Sequence, residues 1–244
     1  ELRTPLNAIL GFAQVMQRNP SLSAEQEQHL SIISRSGEHL LELINDILEM
    51  SKIEAQKTTL NETTFDLYRL LDNLCEMLQL RASSKGLQLI FSRTPSVPQY
   101  VQTDQAKLRQ ILINLLGNAI KFTETGGVVL RVNGTENTAS AIATSHLYFE
   151  VEDTGPGISP EEINQLFAAF GQTEAGRKSG QGTGLGLPIS QKYVQMMGGE
   201  IGVQSILGQG SKFTFDIQVK LAQASDISQP QETRKVIGLA PNQP

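Results

Sequence analysis

From residue 30 to residue 51, apolar or small side chains recur at alternating intervals of three and four: Leu30, Ile33, Gly37, Leu40, Ile44, Ile47 and Ser51, with Leu41 and Leu48 widening the stripe. That spacing fits one long helix with a seam-like apolar face. Ser23, followed three residues on by Gln26, reads as a capping box that starts it, just after the turn cluster Arg18-Asn19-Pro20-Ser21-Leu22-Ser23. Upstream, Leu2, Leu6, Ile9, Ala13 and Met16 also step by three or four and predict a first amphipathic helix. Two helices on so short a connection form an antiparallel hairpin whose broad face it cannot bury alone. Pairing with a second copy into a four-helix bundle, a homodimer, resolves this; packing on the rest of the chain is the other solution. Pro5 either kinks the first helix around Glu1 or sits in an ordinary first turn.

Residues 57–64 are polar and break the pattern, which sets a domain boundary. Beyond it helices and strands alternate. Asp66 is expected to cap a helix to about residue 83, with Leu70, Leu71, Leu74, Cys75 and Leu78 inward. A strand at 87–92, a loop marked by Pro95 and Pro98, and a helix from Thr103 or Asp104 to Phe122 follow. Strands are expected at 128–133 and 147–152, then at 200–204 and 212–220 around Gly208-Gln209-Gly210. The fold class is therefore α+β, a helical hairpin followed by an α/β sandwich. A net charge of −5 with no Trp offers no basic, aromatic stripe, so nucleic acid is not an expected partner. The single Cys75 excludes a disulfide within the chain and a cysteine-rich zinc site. No apolar run approaches the roughly 18 residues of a membrane span, so the chain reads as cytoplasmic, with any membrane anchor outside it.

Three stretches carry chemistry. Asn114 and Asn118 lie four apart on one helical face, while Leu108, Ile111, Leu112, Leu115 and Ala119 can pack inward. Amide oxygens suit Mg²⁺, and Lys121, three beyond Asn118, can meet a phosphate; alone, the pair reads more readily as helix-capping or buried hydrogen-bond partners. Asp153-Thr154-Gly155-Pro156-Gly157-Ile158 follows a strand. Its glycines permit a tight turn and Asp153 could accept a hydrogen bond from an adenine amino group, although alone it is only a turn. Gly180-Gln181-Gly182-Thr183-Gly184-Leu185-Gly186-Leu187 leads into a helix whose first turn suits Pro188, and such a loop can cradle a phosphate.

In combination the stretches say more. Asn114-Leu115-Leu116-Gly117-Asn118-Ala119-Ile120-Lys121-Phe122-Thr123, Asp153-Thr154-Gly155-Pro156-Gly157, Phe167 with Phe170, and Gly182-Thr183-Gly184-Leu185-Gly186-Leu187 occur in that order. They resemble the asparagine box, first glycine box, phenylalanine box and second glycine box of sensor histidine kinases. Glu1-Leu2-Arg3-Thr4-Pro5-Leu6 resembles the tail of their phosphoacceptor box. The resemblance implies a dimerisation and phosphotransfer hairpin at 1–57 and a catalytic ATP-binding domain at 64–221. It implies ATP and Mg²⁺, with Asn118 on the metal and Asp153 on adenine. Lys121 and the loop Gly182, Thr183, Gly184, Leu185 and Gly186 would lie at the phosphates, with Asn114, Phe122, Gly155, Gly157, Ile158 and Phe170 completing the site. Asn114 stands where ATP-hydrolysing relatives of the fold use a glutamate, and an amide cannot act as a general base. Residues 171–181 match the lid over ATP. Gln172 replaces an arginine common there, a charge that Arg177 or Lys178 could supply.

The resemblance also implies a target. The phosphoacceptor histidine would immediately precede Glu1, which would orient it and take its proton, while Thr4 would serve in dephosphorylating a response regulator. Residues 222–244 have a Gln, Ser and Pro linker composition, and 234–244 resemble the approach to the fused receiver domain of a hybrid kinase. The chain as it stands is expected to hold a competent ATP site but not to be phosphorylated at the usual place. Two other readings remain open at this point: an ATPase of the same fold, and a non-catalytic nucleotide-binding dimerisation module.

Overall fold

The computed structural model describes residues 3–19, 21–137, 144–171, 173–179 and 182–226. Helix α1 (Arg3–Gln17) and the long α2 (Ala24–Glu54) form the expected hairpin. The Ser23 capping box is present: its hydroxyl accepts from Gln26 N at 3.2 Å, and its own N–H donates to Gln26 Oε1 at 2.9 Å. Leu6, Leu10 and Ala13 of α1 and Leu30 and Gly37 of α2 are buried. Gly37 lets the two helices approach closely: a Cβ there would lie 2.7 Å from a Leu10 methyl, which would have to shift. The predicted face of α1 is thus divided. Ile9 and Met16 are exposed, as are Phe12, Val15, Ile33, Leu40, Ile47 and Leu48, leaving a long apolar surface on the hairpin. Pro5 lies in the first turn of α1, and the kink expected around Glu1 falls outside the described residues.

The second unit is a sheet covered on one face by helices. Its elements are β1 (Thr63–Asp66), α3 (Leu67–Ser84), β2 (Gln88–Arg93), β3 (Tyr100–Thr103), α4 (Gln105–Phe122), β4 (Gly127–Asn137) and β5 (Thr144–Asp153). The short helices α5 (Pro160–Ile163) and α6 (Glu174–Ser179) follow, then α7 (Gly186–Met196), β6 (Ile201–Ile206) and β7 (Gly210–Leu221). The described strands run β1-β3-β7-β5-β4-β2, with β6 also on β7. The β2–β4 pair is parallel and the others are antiparallel.

Period-two burial on β5 puts Ser145, Leu147, Phe149, Val151 and Asp153 on the helix-covered face. Phe149 stacks on Phe215 of β7, with ring centroids 4.5 Å apart. From the helix side, Leu108, Ile111, Leu112, Leu115 and Leu116 of α4 are fully buried against them. Cys75, expected inward, is only half-buried. Two short strands were not foreseen: β3 lies within the expected loop after Pro98, and β1 begins inside the polar stretch set as a boundary.

Candidate active site

Four pieces of backbone converge on one cavity of about 830 Å³. The C-terminal half of α4 forms one wall, because burying Leu112, Leu115 and Leu116 turns Asn114, Gly117, Asn118 and Lys121 the other way. Asp104 starts that helix, its carboxylate accepting from Lys107 N at 3.0 Å. Asn114 Nδ2 donates to Ser190 Oγ of α7 at 2.9 Å, while Asn118 Nδ2 donates to Asn114 Oδ1 at 3.3 Å. Asn118 therefore keeps its own Oδ1 as an acceptor, the hard oxygen donor that a Mg²⁺ ion would use. Burial holds the Lys121 ammonium below its ordinary pKa, against the opposing effect of Glu42.

Asp153 forms the base. It occupies the last inward position of β5, so the same alternation that builds the core delivers a carboxylate to the cavity. Burial raises its pKa, while N–H groups of Gly155 (2.8 Å) and Ser211 act to lower it. Gly157 and Ile158 line the same region. Gly157 has φ of +69°, and a Cβ there would overlap the Ile206 carbonyl, so the loop can lie on the β6–β7 turn only as glycine.

The glycine loop closes the opposite side. Gly182, Thr183, Gly184 and Gly186 line the cavity, and Gly186 opens α7 where a Cβ would strike the Asn114 amide. Thr183 Oγ1 accepts from Leu185 N at 3.1 Å and donates to Asp46 Oδ2 at 2.7 Å. Asp46 belongs to α2. The hairpin is therefore a wall of the cavity, contributing Arg35, Glu38, His39, Glu42 and Asp46. A second bond runs from Tyr193 Oη of α7 to Glu49 Oε1 at 2.9 Å, and Met50 and Ile53 pack against the sandwich core. Burial raises the pKa of Asp46, against its bond from Thr183; burial together with Glu49 raises that of Tyr193.

Other expected residues lie elsewhere. Leu185 is buried core, and Gly155 serves by donating its N–H to Asp153 rather than by lining the cavity. Phe170 is 63% exposed in a left-handed backbone conformation (φ +62°), its N–H donating to Gly184 O at 3.1 Å. Phe122 lines the cavity with its ring 4.7 Å from the Lys121 ammonium. Thr4 is exposed on α1, outside the cavity lining. Its neighbour Arg3 lines an adjoining cleft that shares Glu38, Glu42 and Asp46 with the cavity. Glu1, Gln172 and the side chain of Lys178 lie outside the described residues. Sequence reasoning missed the α2 acids, Ser190 and Lys85; the acids at 38, 42 and 46 share a helical face, a signal that by itself indicates only a solvated one.

Two family models match this arrangement from either end. The His Kinase A (phospho-acceptor) domain matches residues 1–56, and the Histidine kinase-, DNA gyrase B-, and HSP90-like ATPase family matches residues 103–221. The chain belongs to the histidine kinase family. It is 44% identical over 220 residues to the Hybrid signal transduction histidine kinase B of Dictyostelium discoideum, covering 89% of this chain and 11% of that protein. To the Sensor protein GacS of Pseudomonas syringae pv. syringae it is 41% identical over 224 residues, covering 91% and 24% respectively. This histidine kinase core thus spans a quarter or less of the length of these relatives. Among solved structures, full-length ShkA in complex with AMPPNP superposes with a TM-score of 0.73 at 37% identity, covering 91% of this chain and 45% of that one. Among the described residues no helix is long and apolar enough to cross a membrane.

Proposed function

We propose that this histidine kinase core transfers the γ-phosphate of ATP to a histidine standing immediately before Glu1, for relay to an aspartate of a response regulator or fused receiver domain. The observation that carries the reading is the asparagine pair of α4 facing the glycine loop across one cavity, with Asp153 at its base. In this reading Asp153 and the Gly155–Ile158 turn hold adenine, and Asn118 offers Mg²⁺ its amide oxygen. Lys121 and the Gly182–Gly186 backbone neutralise and orient the phosphates. Mg²⁺, when bound, supplies charge neutralisation at the phosphate oxygens. Asn114 turns its amide to Ser190 and cannot take a proton from water, which favours a protein acceptor over hydrolysis. Glu1 would receive the proton of the attacking imidazole, and Thr4 would position the water that hydrolyses the aspartyl phosphate of the response regulator.

The hairpin at 1–57 would dimerise through the apolar surface that includes Phe12, Val15, Ile33 and Leu40, since exposed patches of this kind mark interfaces. Residues 64–221 would form the catalytic domain and 222–244 a linker toward a receiver domain, all on the cytoplasmic side.

The test is incubation with γ-labelled ATP and Mg²⁺, using the chain with a histidine placed before Glu1. An acid-labile, alkali-stable phosphoprotein is expected. Rapid release of free phosphate with no labelled protein would overturn the reading in favour of an ATPase, and nucleotide binding with neither product in favour of a non-catalytic module.

A further inference from the structure

The last turn of α4 holds Lys121 and Phe122 in the cavity wall, and a helix end leaves its final carbonyls without intrahelical partners. Here the first of them, Ala119 O, accepts from Thr123 twice, from N at 3.0 Å and from Oγ1 at 2.7 Å. The next are met by one side chain from another helix. Lys85 Nζ lies 2.8 Å from Ile120 O, 2.7 Å from Lys121 O and 3.2 Å from Thr123 O. An ammonium has three N–H donors, and three carbonyls engage them.

The local sequence explains how Lys85 gets there. It is the C-cap of α3, followed by Gly86 at φ +70°, after which Leu87 N returns to Ala82 O at 3.0 Å and the Leu87 side chain is buried. This left-handed glycine cap fixes the end of α3. The next residue, Gln88, donates to Gly126 O at 3.0 Å and so ties the same turn to the chain leaving α4.

Lys85 also lines the cavity, where a lysine invites assignment as a phosphate ligand. Its engagement with three carbonyls points elsewhere. We propose that Lys85 is a positioning residue of the nucleotide site, bracing the C-terminal turn of α4 so that Lys121 is held for the phosphates. The inference rests on the reading of the cavity as an ATP site. A cation at a helix C-terminus also opposes the negative end of the helix dipole, which steadies that turn.

A double-mutant cycle on the chain, read as ATP affinity by calorimetry, separates a brace from a ligand. Lys85→Met is expected to weaken ATP binding roughly tenfold, the lower end of what supports around binding groups contribute. Lys121→Met should weaken it at least as much, and the double variant should bind no more weakly than Lys121→Met within about twofold. Lys85→Arg, which keeps charge and donors, should recover most of the affinity. Additive losses would make Lys85 an independent phosphate ligand and overturn the proposal, as would unchanged affinity in Lys85→Met. Should Lys85→Met fail to fold, Lys85→Gln, neutral but still a donor, takes its place in the cycle with the same required non-additivity. If the unmodified chain binds no ATP, the ATP reading itself fails. Amide exchange without nucleotide then decides the brace: faster exchange confined to residues 121–123 in Lys85→Met supports it, and uniform or absent change refutes it.

Discussion

Gly117 sits inside α4, three residues after Asn114 and four before Lys121, and a Cβ built on it meets nothing within 4 Å. Glycine within a helix costs roughly 0.5–1 kcal/mol relative to alanine, because it surrenders more backbone freedom on folding. No packing constraint accounts for that cost here. The space beside Gly117 is the cavity itself, on the helical face shared with Asn114, Asn118 and Lys121. Gly117→Ala is therefore expected to stabilise the nucleotide-free chain by about 0.5–1 kcal/mol, a rise in Tm of about 1–4 °C for a chain of this size. The same methyl would project between the groups proposed to hold the phosphates, so ATP affinity should fall at least about threefold, which is about 0.7 kcal/mol at tenfold per 1.4 kcal/mol. Guanidinium melts without nucleotide and calorimetric ATP titrations measure the two effects on one sample. A loss of stability would refute the claim that the position is sterically open. Increased stability with unchanged affinity would show that nucleotide does not approach α4 at this turn.

Three further outcomes follow from the site. Burial holds the pKa of Lys121 below 10.5, so its ammonium is lost earlier than an ordinary lysine's as pH rises. ATP affinity should decline along an alkaline limb beginning below pH 10.5, and Lys121→Met should be flat there; a limb unaltered by that substitution would assign it to another group. Asp46→Asn removes a negative charge beside the glycine loop, and at an effective dielectric near that of the surface should raise ATP affinity roughly threefold to tenfold; weaker binding on titration would contradict this. Gly157→Ala should destabilise the fold by about 2–5 kcal/mol, summing a left-handed backbone penalty with a clash against the Ile206 carbonyl; a denaturation midpoint equal to that of the unmodified chain would show that the turn can relax.

The longer helices and strands were legible because their signals are local, whereas the short α5 and α6 were not foreseen. The three-four alternation of α2, the Ser23 capping box and the Asp66 and Asp104 caps all act within a few residues. β1 and β3 were not, since four residues are too few for an alternation to register; they exist by pairing with each other and, for β3, with the end of β7. The stretch 171–181 reads only as polar and glycine-containing, yet Glu174–Ser179 is helical, with Thr173 Oγ1 accepting from Gly176 N at 3.1 Å. At the site, Asn114, Asn118 and Lys121 were legible as one helical face, whereas Asp153 followed an expected strand and was singled out through the combination of motifs. Phe170 was assigned by motif, and its exposure follows from a backbone conformation that spacing does not encode.

What spacing could not reveal is the role of α2, because the contact between Asp46 and Thr183 joins residues 137 positions apart. Read locally, Glu38, Glu42 and Asp46 are an acidic row four residues apart, the ordinary signature of a solvated helix face. The fold turns that row onto the cavity, with Asp46 against the glycine loop. Two physical consequences meet there. Carboxylates beside the glycine loop oppose the negative charge of a nucleotide, and the hydroxyl of Thr183 has a single proton to donate. While that proton goes to Asp46 it cannot go to a phosphate oxygen, so the docked hairpin and an incoming nucleotide draw on the same donor. The loop that the sequence marks as a phosphate cradle is, in this arrangement, also the surface on which α2 rests. The second role becomes visible only when α2 is in place.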